Sequence, residues 1–229
     1  MTVPLYLAST SPARLALLRD AGIEPVLISP GVDEEAAVAT ESARLGRDLT
    51  AAETVQHLAR LKAEAVLDTV VDGRPLDGLV LGGDSAFEFD GEVHGKPHEP
   101  ALALDRWRRM AEIGHGTLWS GHWLIDHRGG APRTSDEHPS GGAGRVASAS
   151  LTFADDLDPG ELTAYVETGE PLEVAGAFTI DGRASAFITH IEGTPSAVVG
   201  LSVPVLRSLV RGFGVPWHEL WTSPTAGSL

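Results

Sequence analysis

Cysteine is absent from this 229-residue chain, which excludes disulfides, thiolate nucleophiles and cysteine-ligated zinc or iron–sulfur centres. Lysine is nearly absent too: of 17 basic residues fifteen are arginine, and only Lys62 and Lys96 carry an ammonium. No stretch reaches the ~18 consecutive apolar residues that a membrane helix requires, so no membrane association is expected. The first residues, Met-Thr-Val-Pro-Leu-Tyr-Leu-Ala-Ser, lack a basic segment and hold only a strand-length apolar run, so no signal peptide is expected. Excess positive charge is missing as well, since 32 acidic residues leave a net −15 with histidine neutral. Such a field repels nucleic acid and anionic lipid, and neither is expected as a partner. The expectation is a soluble, cytoplasmic, acidic globular protein whose residues 1–229 form one domain with a sizeable core.

What is present alternates between strand and helix signals. Leu5-Tyr6-Leu7-Ala8 reads as a short buried strand. Ser11 then caps a helix with Pro12 in its first turn, running over Arg14 to Leu18 and stopping at Gly22. A second strand, Pro25 to Ile28, leads into an acidic turn, Val32-Asp33-Glu34-Glu35. Strand, capped turn, helix, strand is the opening of an α/β fold of nucleotide-binding type.

Thr50-Ala51-Ala52-Glu53 is a capping box for a helix reaching about Asp68. Val55, Leu58, Ala59, Lys62 and Val66 recur on one face of it. Burying an ammonium there without a partner is costly, so an anion or carboxylate should meet Lys62. Leu79 to Asp84 reads as a buried strand ending in a polar turn, and Asp90-Gly91 signals a hairpin. A helix from Pro100 to Ile113 and a strand from Thr117 to His127 follow. Residues 129–145 are low in complexity and read as a flexible loop. Beyond it lie a strand (Val146 to Phe153), a helix capped at Asp158, strands at Ala177 to Ile180 and Ala186 to Ile188, and a last helix from Val203 to Phe213.

Chemistry gathers at three places. Ser9-x-Ser11-x-x-Arg14 puts two hydroxyls and a guanidinium at a helix N-terminus, where free N–H groups favour phosphate. Capped strand–helix turns are common, and the same residues also read as a plain capped helix with Arg14 solvated. Asp84, beside Gly82, Gly83 and Ser85, either faces a ligand or simply forms a turn. Lys96, in Gly95-Lys96-Pro97, sits in a segment that superficially resembles a P-loop, but the spacing is one residue short and Pro97 replaces the required hydroxyl. No Gly-x-Ser-x-Gly elbow or His-Glu-x-x-His motif occurs. His122 and His127 should face opposite sides of a strand and so share no metal with His115. Gly141-Gly-Ala-Gly144 has no strand before it and is not a dinucleotide fingerprint.

Taken in order, the motifs resemble the Maf family of nucleoside triphosphate pyrophosphatases. They are Leu7 to Arg14 with Leu17-Leu18, Asp33-Glu34, Leu61-Lys62-Ala63, Gly83-Asp84-Ser85 and Gly95-Lys96-Pro97. Tyr165-Val166-x-x-Gly169-Glu170-Pro171, Ala175 to Phe178 and Val198 to Ser202 continue the series. The resemblance implies an elongated α/β fold, a mixed sheet with flanking helices and a central cleft between two lobes, usually as a homodimer. It implies cleavage between the α and β phosphates with a divalent cation, Mg²⁺ or Mn²⁺. Carried across, Ser9, Ser11 and Arg14 hold phosphate, and Lys62 and Lys96 neutralise the triphosphate. Asp84 accepts a proton or associates with the metal, Glu34 helps bind that metal, and Asp181 occupies a base-selective position. Ala13 stands where the family usually has a second arginine, and Ser85 replaces threonine. The first departure motivates an alternative, a catalytically weak nucleotide-binding or regulatory protein of the same fold. Because a free aspartate has a pKa of about 3.9, it is a weak base. The cation is therefore expected to help activate the water that Asp84 positions.

Overall fold

Leu5–Ala8 (β1) is buried at every residue because both of its faces are covered, Leu5 and Leu7 packing with Leu18 and Leu206, and Tyr6 and Ala8 with Ala63 and Val66. The computed structural model describes residues 2–222. After β1 come α1 (Pro12–Asp20), β2 (Val26–Ile28), α2 (Glu34–Leu45) and α3 (Ala51–Glu64). A small hairpin, β3 (Val70–Val71) and β4 (Arg74–Pro75), precedes β5 (Leu79–Phe89), β6 (Glu92–His94), α4 (Pro100–Ile113) and β7 (His115–Asp126). The chain closes with β8 (Gly142–Phe153), α5 (Pro159–Glu167), β9 (Ile188–Gly193), α6 (Pro195–Val199) and α7 (Val203–Gly212). The main sheet runs β2-β1-β5-β7-β8-β9 with β6 on the end of β5; β1 is parallel to β2 and β5, and the remaining pairings are antiparallel. The fold is α/β, a mixed sheet with flanking helices. Among the described residues no helix is long and apolar enough to cross a membrane.

Besides a smaller core that gathers Val80 and Ile125 with Tyr6, Ala8 and Val66, the long strands feed two separate cores. Phe87 and Phe89 join Trp107, Phe153, Tyr165 and Phe178 at one end. Leu79 and Leu81 join Leu7, Leu18, Leu124 and Leu206 at the other. Asp84 falls on β5 between them.

Five expectations need correction. The strand carrying Asp84 does not end there: β5 continues to Phe89, paired with β7 as far as Glu88. What ends is its parallel neighbour, since β1 follows β5 only as far as Ala8 opposite Gly82. The acidic turn at 33–35 starts a helix instead, with Asp33 Oδ1 accepting from the Ala36 N–H at 3.0 Å. Helix α2 has no buried residue, so it carries no apolar stripe to be read.

The loop expected to reach residue 145 stops earlier, for Gly142 and Gly144 already pair with Ile125 and Trp123. Side chains of Trp123 and Gln56 fill the space where a Cβ would stand at Gly144. Last, Ala177–Ile180 is no strand. Ala177 adopts φ 57° and turns the chain, so that Phe178 plugs the aromatic core edge-on to Phe87 at 5.1 Å. The neighbouring strand falls at Ile188–Gly193 rather than 186–188.

Candidate active site

Glycine decides how closely α3 approaches the sheet. A Cβ at Gly82 would overlap the Ala59 carbonyl, and one at Gly121 would overlap that of Val55. With both side chains missing, the backbone of α3 lies directly on β5 and β7. The buried face of α3, Val55, Leu58, Ala59, Lys62 and Ala63, follows the phase read from the sequence. Lys62 therefore reaches the sheet, where its Nζ lies 2.7 Å from Asp84 Oδ1 and 2.7 Å from Glu34 Oε1 on the first turn of α2. Lys62 and Asp84 are 7% and 8% exposed, whereas the Glu34 side chain is half exposed. The demand for a partner at Lys62 is thus met by two carboxylates.

Alternation along β5 sends Ser85 to the opposite face from Asp84. There the β1–α1 turn delivers Ser9, Ser11 and Arg14. Ser11 caps α1, its Oγ accepting from the Arg14 N–H, and Pro12 supplies the first-turn residue that needs no N–H partner. The Arg14 side chain is buried, and Gly83 leaves room for it. Its Nε donates to the Gly200 carbonyl at 2.9 Å, Nη1 to Ser9 Oγ at 3.2 Å and Nη2 to Ser85 Oγ at 2.9 Å. Since β1 ends at Ala8, both groups border the same gap in the sheet.

Burial is the leading influence on both charges. It lifts the Asp84 carboxyl above its ordinary range against the pull of Lys62 and Arg14. It also lowers Arg14, whose charge the carboxylates of Asp84 and Glu34 support. The result is a base stronger than a surface aspartate, flanked by two cations inside a molecule of net −15.

Seven residues read from the sequence are thereby brought around the end of β1: Ser9, Ser11, Arg14, Glu34, Lys62, Asp84 and Ser85. Two expected site residues make no contact with this group. Lys96 is half exposed and faces Glu173 at 3.7 Å, while Asp181 is exposed in the turn after Ile180. Sequence reasoning passed over Ser120 and weighed His122 only as a metal ligand, yet both are wholly buried on β7. Their signal was there, because with Leu118 and Leu124 they occupy alternate positions on a core-facing strand face.

A family model described as Maf-like protein matches residues 4–213. A nucleoside triphosphate pyrophosphatase of Leifsonia xyli subsp. xyli (strain CTCB07) is 57% identical over 218 residues, 95% of this chain and 96% of that protein. The protein of the same name from Cutibacterium acnes (strain DSM 16379 / KPA171202) is 43% identical over 232 residues, covering 100% of both. Among solved structures, the Staphylococcus aureus Ham1 protein covers 92% of this chain and 99% of its own at 12% identity, with a TM-score of 0.44 too low to argue from.

Proposed function

The chain belongs to the Maf family, and we propose that it is a nucleoside triphosphate pyrophosphatase, cutting the α–β phosphoanhydride to release a nucleoside monophosphate and pyrophosphate. The observation that carries this reading is the meeting of two buried cations, Lys62 and Arg14, with one buried carboxylate, Asp84, where β1 ends.

Water attacking phosphorus in line spreads negative charge over the phosphoryl oxygens, and fixed positive groups in a water-poor site stabilise that charge most. Lys62 supplies a compact ammonium. Arg14 has five N–H donors; with three committed to Gly200, Ser9 and Ser85, two remain for a phosphate oxygen. The Ser9 and Ser11 hydroxyls lie beside them at the N-terminus of α1. Asp84 takes the proton from the attacking water, aided by the burial that raises its pKa and held in place by Lys62 at 2.7 Å.

The donor set also fits a divalent cation. Glu34 and Asp84 each approach the same Lys62 nitrogen, so their oxygens converge on one positive centre, although among the described residues no three acidic or imidazole groups gather for a metal. Two carboxylates completed by substrate phosphate suit Mg²⁺ or Mn²⁺. Bound by Glu34 and Asp84, such an ion would neutralise phosphate and ease deprotonation of a water. Lys96 is assigned to the triphosphate and Asp181 to the base, and a cytoplasmic homodimer completes the reading; these rest on the family resemblance alone.

Pyrophosphate release from a panel of canonical and modified triphosphates with Mg²⁺ or Mn²⁺ tests the proposal. Wild type should turn over at least one of them and Asp84→Asn none at a comparable rate. Equal rates for the two proteins would sink it. Tight nucleotide binding without turnover in wild type would support the regulatory alternative that Ala13 suggests.

A further inference from the structure

Ser120 and His122 stand two residues apart on β7, so their side chains share the face that carries Arg14. Both are wholly buried, between the core residues Leu118 and Leu124 of the same strand. Apolar side chains would suit that position better unless the polar atoms bind something specific. What they bind is the two ends of one short segment. Ser120 Oγ donates to the Ala197 carbonyl at 2.8 Å, and His122 Nε2 accepts from the Ser202 N–H at 2.8 Å. Between these anchors lies Gly200, with φ 117°, whose carbonyl receives Arg14 Nε at 2.9 Å and Ser85 Oγ at 3.3 Å.

The histidine bond fixes its tautomer. A backbone N–H can only donate, so Nε2 carries no proton, and the proton sits on Nδ1, which donates to the Arg145 carbonyl at 3.2 Å. Ser202 is itself the N-cap of α7, its Oγ accepting from the Val205 N–H, so the anchor also sets where that helix begins.

We propose that Ser120 and His122 are positioning residues that fix the Gly200 carbonyl from both sides and thereby aim the Arg14 guanidinium at the phosphate. This rests on the reading of Arg14 as a phosphate ligand. Neither residue need touch substrate. With the Gly200 carbonyl misplaced, Arg14 loses its only backbone acceptor at Nε among the described residues, and its two free donors lose their direction.

The test uses the full ¹⁵N-labelled chain and the variants His122→Leu, His122→Gln and Ser120→Ala. The Arg14 Nε–H resonance, assigned by its loss in Arg14→Lys, reports the Gly200 bond without any need for turnover. In His122→Leu and Ser120→Ala its exchange with solvent should quicken by about tenfold or more, and KM for the triphosphate should rise about tenfold with a smaller fall in kcat. His122→Gln, which retains an acceptor and a donor, should recover most of both. Wild-type exchange and KM in folded His122→Leu or Ser120→Ala would overturn the proposal, as would a fall in kcat with exchange unchanged. Should His122→Leu not fold, Ser120→Ala decides, because it removes a single hydroxyl. If wild type turns over no triphosphate, the activity reading fails, while Arg14 exchange still decides whether β7 holds the guanidinium.

Discussion

Lys62 and Asp84 meet at 2.7 Å, 22 residues apart in sequence, and each is more than nine-tenths buried. Removing one member of such a pair leaves a buried charge without its partner, at a cost of about 3–5 kcal/mol. Lys62→Met should therefore destabilise the protein by roughly 3 kcal/mol, at the low end because the raised pKa of Asp84 lets it take a proton. Adding Asp84→Asn should restore part of the loss, since no buried carboxylate then remains unpaired and the half-exposed Glu34 is left to solvent. Urea unfolding of the four proteins in the cycle measures this; additive effects would mean that the pair does not couple.

Lys62→Arg separates charge from shape. Lys62 Nζ stands between two carboxylate oxygens at 2.7 Å each, a place for a compact ammonium, whereas a guanidinium is a planar fork. Turnover should fall by about tenfold or more with stability less affected than in Lys62→Met. Wild-type kcat/KM in this variant would show that positive charge alone suffices.

Lys96 offers the contrasting case. Its pairing with Glu173 is long at 3.7 Å and exposed on both sides, so Lys96→Ala should change unfolding free energy by less than ~0.5 kcal/mol. Its assignment to the triphosphate nevertheless predicts that turnover should drop about tenfold. Unchanged turnover would return this lysine to the solvated surface.

The two lysines also mark how far sequence reading reaches. The helical phase around Lys62 was local information, and the need for a carboxylate followed from desolvation cost alone. That the carboxylates would be Asp84 and Glu34 depended on which strand lies under α3, and on glycines at 82 and 121 belonging to two strands that pair with each other. No local pattern encodes that. Helix α2 gives no periodic signal because an exposed helix has no apolar stripe, and Ala177–Ile180 reads as a strand because a core-filling Phe178 beside Thr179 and Ile180 resembles one in composition. Ser120 and His122 were visible as polar residues in an apolar alternation, but their partners at Ala197 and Ser202 lie about 80 residues away.

The glycines under α3 give a prediction that links packing to chemistry. At Gly121 a methyl group would meet the Val55 carbonyl and the Gln56 N–H, backbone that cannot swing aside. Gly121→Ala should push α3 off the sheet, costing about 1–3 kcal/mol as overpacking does. The same shift should draw Lys62 away from Asp84 and lower kcat/KM beyond what the stability loss explains. Gly73→Ala, at a site with nothing near the added methyl, carries only the strain of φ 76° and should leave turnover intact. Equal kcat/KM for the two variants would break the link between close packing and the placement of Lys62.

Acid should erode the stability contributed by neutral His122 before most surface carboxylates are protonated. Burial, with Arg14 nearby, pushes this imidazole down from 6.5 to about 4; protonating Nε2 would in addition put two donors face to face at the Ser202 N–H. The folded pKa is thus the lower one, and at intermediate pH the unfolded chain binds more protons. Its contribution to stability is complete above pH 6.5, shrinks as pH falls through 6.5 toward 4, and is gone below that. Between pH 7 and pH 5 the loss should be about 2 kcal/mol, before carboxylate protonation contributes much. His122→Gln has nothing to titrate there, so its unfolding free energy should stay flatter over that interval by about the same amount. Parallel pH dependences in wild type and His122→Gln, measured by urea unfolding at fixed ionic strength, would mean that the imidazole does not hold Ser202 as a neutral acceptor.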